Sequence, residues 1–206
     1  MQREVSDTTR VCAYDRAGMG WSETGPQPRD AKQISSELHT LLTKADIEGP
    51  YVLVSHSFGG LYLQTYAARY PEEVAGVALV ESSHPDQFSY RQVARDSYEP
   101  QKQIFDVFSL AARLGIIRLV SKLAPTSPEL PPQQRAQIDA LTPSTRQVST
   151  YALEFRATPQ TVTQTRNLRS LGTKRWRWSL QAHRSQVGSS CRTIWPLFRP
   201  TARTVS

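Results

Sequence analysis

Hydrophobic positions along this chain come in short unbroken runs separated by longer stripes at helical spacing. Residues 51–54, Tyr-Val-Leu-Val, form an apolar run rich in β-branched residues and too short for a helix, so they predict a buried strand. Leu61, Leu63, Tyr66, Ala67 and Tyr70 then keep one apolar face of a helix that Pro71 ends. Residues 74–80, VAGVALV, read as a second buried strand that stops at Glu81. Upstream, residues 9–14, TRVCAY, are strand-like, and a Gly-punctuated loop from Asp15 to Ser22 follows. Asp30 with Gln33 three residues on predicts a capped helix start. Ile34, Leu38, Leu41, Leu42 and Ala45 supply that helix's apolar stripe. Strands alternating with helices predict a parallel α/β sheet, with chemistry at the strands' carboxyl ends, where Asp15, Ser57 and Glu81 fall.

Residues 87–171 lose the strand pattern. Ile104, Phe105, Phe108, Ala111 and Ala112 lie on one helical stripe, and Ile116, Ile117, Val120 and Leu123 continue it. Pro125, Pro128, Pro131 and Pro132 make a stiff break, and residues 133–141 and 146–155 predict two further helices.

The junction Ser55-His56-Ser57-Phe58-Gly59-Gly60 joins strand to helix in one tight step. Such a step needs small residues two before and two after the turning residue, here Ser55 and Gly59. It matches the pattern of a nucleophile elbow, G-x-S-x-G, with serine in the first glycine's place. An elbow lifts the Ser57 hydroxyl off the sheet, aims the next helix's amino end at it and turns the Phe58 N–H toward a developing oxyanion.

Composition sharpens the boundaries. The 206 residues suffice for one domain with a substantial core, and 38% hydrophobic with 21% charged residues fit a globular protein. No apolar run reaches 18 residues, and the first ten residues lack a signal peptide's apolar core, so a cytoplasmic location is the default expectation. Cys12, expected in a buried strand, and Cys191 near the end form no disulfide framework or metal-ligand spacing, and neither metal nor cofactor is expected. The formal charge is +7, and residues 173–206 carry all of the excess, with Lys174, Arg175, Arg177, Arg184, Arg192, Arg199 and Arg203 and no acid. Trp176, Trp178 and Trp195 share that tail. Basic residues interleaved with tryptophan open a second reading: a binding protein whose tail contacts nucleic acid or an anionic membrane. No nucleic-acid-binding motif accompanies the tail, so no nucleic-acid partner is expected.

The three motifs YDRAGMGWS, SHSFGG and LVESSHPDQ, in that order, resemble the α/β-hydrolase superfamily, in its bacterial serine hydrolase and esterase branch. The resemblance runs over about residues 9–171. It implies an α/β fold: an incomplete α/β-hydrolase parallel sheet over residues 1–86 with strands four to six, a helical lid over 87–171 and a non-family basic tail, expected to be disordered, from 172 to 206. It implies Ser57 as nucleophile, the Phe58 N–H as oxyanion donor and a small ester or amide substrate. Glu81 stands where some members carry the triad acid, and its alternative role is a structural carboxylate capping nearby N–H groups. Dehalogenases and epoxide hydrolases use an aspartate nucleophile, so serine at 57 argues against both; a peptidase of the proline-iminopeptidase kind stays open.

Two parts of the family pattern are missing from the sequence. Only eight residues precede the strand expected at 9–14, where the family has three strands and a His-Gly loop. After Gly172 the family has an apolar strand, but this chain reads Lys-Arg-Trp-Arg-Trp-Ser. Reading CGN and TGG codons from their third base turns that stretch into alternating Ala and Leu or Val. A shifted reading frame near Gly172 is therefore expected. The family's catalytic histidine is then not encoded; His183 has the right order but lacks the Gly-His context. Impaired or absent activity follows, because an elbow serine without a base is a weak nucleophile. His39 and His84 are expected as a solvated helix residue and a loop residue, and His56 as pointing away from Ser57.

Overall fold

The computed structural model describes residues 5–87, 96–123, 130–168 and the backbone of 175–179. Three parallel strands, β1 (Tyr51–His56), β2 (Val74–Val80) and β3 (Arg175–Ser179), lie in that order. β1 and β2 run in register from Val52 opposite Gly76 to His56 opposite Val80, with one irregularity between Tyr51 and Val52. The β3 backbone continues the sheet, from Arg175 opposite Gly76 to Ser179 opposite Val80. Over these five residues the expectation of an unstructured tail is corrected; the remainder of 172–206, with Cys191 and His183, lies outside the described residues.

Helices α1 (Ala31–Lys44) and α2 (Gly59–Arg69) cover one face of the sheet. Leu38 of α1, Leu63, Tyr66 and Ala67 of α2, and Leu53, Val74, Val77 and Leu79 of the strands form the apolar cluster between them. Strand side chains alternate, so Leu53 points into that cluster while Val52 and Val54 face the other way and are exposed. Parallel sheets ordinarily bury both faces. Here the described residues cover one.

The strand expected at 9–14 is not formed: residues 10–16 are irregular. A strand is made by ladder bonds to a neighbour, and this segment pairs with none of the described strands. Cys12, expected to be buried there, is exposed.

Among the described residues of the stretch expected to be helical, the helices are α3 (Tyr98–Arg113), α4 (Ile116–Ser121), α5 (Pro132–Leu141), α6 (Thr145–Arg156) and α7 (Thr158–Arg166). Phe105 of α3 packs on Phe155 of α6, with ring centroids 4.8 Å apart, and Ser109 hydrogen-bonds Ser149. α7 was not foreseen, because its sequence TPQTVTQTR has no apolar stripe. Its threonines do the packing instead. Thr161 and Thr165 are buried, and α7 sits on both α1 and α2. Thr161 Oγ1 accepts the Ala31 N–H at 3.1 Å, Gln164 Oε1 accepts the Lys32 N–H at 2.9 Å, and Asp30 Oδ1 accepts the Gln33 N–H at 2.9 Å. Three donors at the start of α1 that no intrahelical carbonyl can reach are thereby satisfied. The Asp30 cap is the one the sequence predicts.

Candidate functional site

Ser57 sits at the corner where β1 becomes α2, exposed, with φ of +52°. That is the left-handed region, which costs a residue with a Cβ about 1–3 kcal/mol and persists only where surrounding contacts fix it. The Ser57 N–H donates to Val80 O at 3.2 Å, tying the corner to the end of β2. Behind it, Ser55 takes the glycine position without crowding: even a Cβ added at 59 would meet the Ser55 Cβ at an ordinary 3.5 Å. The Ser55 Oγ is buried there with no recorded hydrogen-bond partner. Phe58 is the cap residue of α2, and its ring packs edge-on against Tyr62 at 5.5 Å.

Glu81 leaves β2 through a second left-handed step, φ +43°. It lies beside the corner, at the same carboxyl edge of the sheet. Its side chain meets His56, with Oε2 3.6 Å from Nε2, and both groups are largely in solvent, at 41% and 67% exposure. The structure thus brings His56 and Glu81 together beside the serine corner. The three histidines among the described residues each face a carboxylate: His39 meets Glu73 at 2.9 Å, His56 meets Glu81, and His84 meets Asp86 at 3.8 Å. His39, expected to be solvated, is half-buried and stacks on Tyr70 with ring centroids 4.1 Å apart. A helix position facing α2 has an aromatic neighbour that its own periodicity does not reveal.

The loop after residue 14 holds a feature that sequence reasoning missed. Arg16 makes a two-pronged ion pair with the buried Glu154 of α6, 3.2 Å from Nε to Oε1 and 2.9 Å from Nη2 to Oε2. Tyr62 of α2 donates to the same carboxylate at 3.2 Å, and the Arg16 guanidinium lies over the Tyr62 ring at 5.3 Å. Burial first, and the Glu154 charge second, push the Tyr62 phenol well above its usual range, so it stays a donor. Gly18 in this loop, φ +84°, lets the backbone close on α6: a Cβ there would fall 2.1 Å from Thr150 Oγ1. Asp15, at the end of the expected strand, accepts the Trp21 N–H at 3.1 Å and shapes the turn. A cavity of about 320 Å³ lies between this loop and α5 and α6, lined by Tyr14, Met19, Ile138, Leu141 and Tyr151 among others. The signal that could have exposed the pair was the charge of Glu154 set among the apolar residues Ala152, Leu153 and Phe155.

No group of three metal-ligating side chains occurs among the described residues, and no described helix is long and apolar enough to cross a membrane. The side chains of residues 175–179 lie outside the described set, and the reading of the tail as a binding segment has no support.

The family described as alpha/beta hydrolase fold matches residues 1–126. An AB hydrolase superfamily protein of Gibberella zeae is 36% identical over 87 residues, 40% of this chain and 27% of that protein. An uncharacterised Schizosaccharomyces pombe protein is 44% identical over 78 residues, 38% of this chain and 15% of its own length. The chain therefore spans well under half of these relatives. Among solved structures, Cfl2 from Burkholderia cenocepacia superposes with a TM-score of 0.53 at 18% identity, over 77% of this chain and 57% of Cfl2. A mutant of the haloalkane dehalogenase DatA from Agrobacterium tumefaciens gives 0.53 at 14% identity, over 80% and 60%. At these identities the superpositions speak for the fold alone, and they reach dehalogenases rather than carboxylic-ester hydrolases in particular. With strand, left-handed serine corner and helix in the order its sequence motifs set, and with the family matched over most of its length, this chain belongs to the α/β-hydrolase fold family.

Proposed function

We propose that this chain is a serine hydrolase of carboxylic-ester type, acting on a small ester or amide through Ser57. The observation that carries the reading is the +52° φ of an exposed serine between β1 and α2. A strained corner of this kind is kept where a hydroxyl must stand clear of its sheet. Ser57 Oγ attacks the carbonyl carbon as its proton passes to water, and the Phe58 N–H stabilises the oxyanion at the amino end of α2. The alcohol or amine departs with a proton taken from water, and a further water hydrolyses the acyl-enzyme to the acid and free serine. Glu81 is the acid that would orient a base. His39 and His56 each face a carboxylate, Glu73 and Glu81, and an elbow serine without a base is a weak nucleophile, so acylation is slow and turnover is impaired at neutral pH.

A fluorophosphonate probe followed by peptide mapping tests this. Label on Ser57 that disappears in Ser57→Ala, with turnover of short p-nitrophenyl esters near background, is the expected result. Label on another residue, or none after prolonged exposure, overturns the nucleophile assignment. Rapid ester turnover overturns the impairment.

A further inference from the structure

We infer that Ser82, packed on Gly60, is a positioning residue for the Ser57 corner; this rests on the reading of Ser57 as a nucleophile. The Ser57 carbonyl oxygen accepts from three donors: Gly60 N at 3.2 Å, Ser83 N at 3.0 Å and the Ser82 hydroxyl at 3.2 Å. Only the first belongs to the corner's own helix. The other two come from the loop after β2. A carbonyl offers two lone pairs, so the three donors share them, and the Ser82 hydroxyl, whose single proton also reaches Ser83 O, adds to the hold that the two N–H groups supply.

The loop reaches the carbonyl because Glu81 is left-handed, which turns Ser82 and Ser83 back over the corner. Contact then depends on glycine at 60. A Cβ added there would fall 1.6 Å from Ser82 Oγ and 2.8 Å from Ser82 Cβ. Gly60 has no positive φ, so its bare Cα serves approach rather than backbone conformation. The Ser82 hydroxyl has one other recorded acceptor, Ser83 O at 3.3 Å, within the same brace. Ser57 N–H bound to Val80 O and Ser57 O bound to Ser82 and Ser83 fix the peptide groups on both sides of the serine to one short segment. That segment contains Glu81. The orientation of the nucleophile and of the proposed acid is therefore set by a single loop, and Ser82 acts through backbone, without touching substrate.

The test compares Ser82→Ala, Ser82→Thr, Gly60→Ala and Ser82→Gly with the unaltered full chain. The readouts are the rate of fluorophosphonate labelling at Ser57, amide exchange at Ser83 and melting temperature. Loss of the hydroxyl in Ser82→Ala is expected to slow labelling about fivefold, the size of one net hydrogen bond. Exchange at Ser83 becomes faster, and the melting temperature falls by a few degrees at most, as the loss of one hydrogen bond implies. Ser82→Thr, which keeps the hydroxyl, labels faster than Ser82→Ala. Gly60→Ala slows labelling when made alone and costs less when Ser82→Gly has cleared the space, so the pair is non-additive. Unchanged labelling and exchange in Ser82→Ala, or an additive cycle, overturns the proposal. If the unaltered chain takes no label, the serine hydrolase reading fails on its own. Ser83 exchange then decides the brace: faster in Ser82→Ala supports it, and unchanged overturns it.

Discussion

Adjacent residues of β1 have opposite surroundings. Leu53 is 9% exposed in the cluster beneath α1 and α2, whereas Val52 and Val54 on either side are 68% and 53% exposed. Their chemistry hardly differs. The strand is written for burial on both faces, in the manner of a parallel sheet with helices above and below, and the described residues furnish one layer. An apolar side chain contributes to stability only through what is packed on it, so the same residue class should matter greatly on one face and little on the other.

Leu53→Ala should have the largest effect, about 3 kcal/mol lost in urea unfolding, as expected for a truncated core leucine. A loss below 1 kcal/mol would show the cluster to be loosely packed. Arg16→Met should cost less, about 2 kcal/mol, since it strands the buried Glu154 carboxylate while Arg16 itself is partly in solvent. Adding Glu154→Leu should recover part of that loss, because an apolar pair removes the stranded charge but leaves the buried Tyr62 hydroxyl without its acceptor. If the double variant is no better than the single one, the network does more than offset its own charges. Val52→Thr should be the smallest, within about 0.5 kcal/mol of the parent. A cost approaching that of Leu53→Ala would show that the outer face is covered after all, and the contrast would dissolve.

How much of this was legible beforehand follows the same logic. The serine corner could be read because its demand is local: small residues at 55 and 59 and a change of period from two to 3.6 at residue 57. The Asp30 cap was equally local. Residues 9–14 were misjudged because strand propensity says nothing of whether a partner lies alongside. α7 escaped notice because Thr161 and Thr165 do with hydroxyls what leucines usually do with methyl groups, and only the docked partners reveal it. Arg175–Ser179 shows the reverse: side chains that read as a solvated tail sit on a backbone paired along β2. The brace on Ser57 was out of reach for sequence reasoning, since nothing in Glu81 announces a left-handed step.

The start of α1 carries a consequence for how the chain becomes structured. Its unpaired donors and its cap are met by Thr161 and Gln164, across separations of 130, 132 and 134 residues. Contacts this remote are slow to form, because a long loop must close before they repay the loss of chain freedom. During synthesis, α1 and the corner behind it emerge well before Gln164 does. The first half of the protein therefore waits for the second before that helix end is sealed, and a nascent chain arrested short of Gln164 would hold it open.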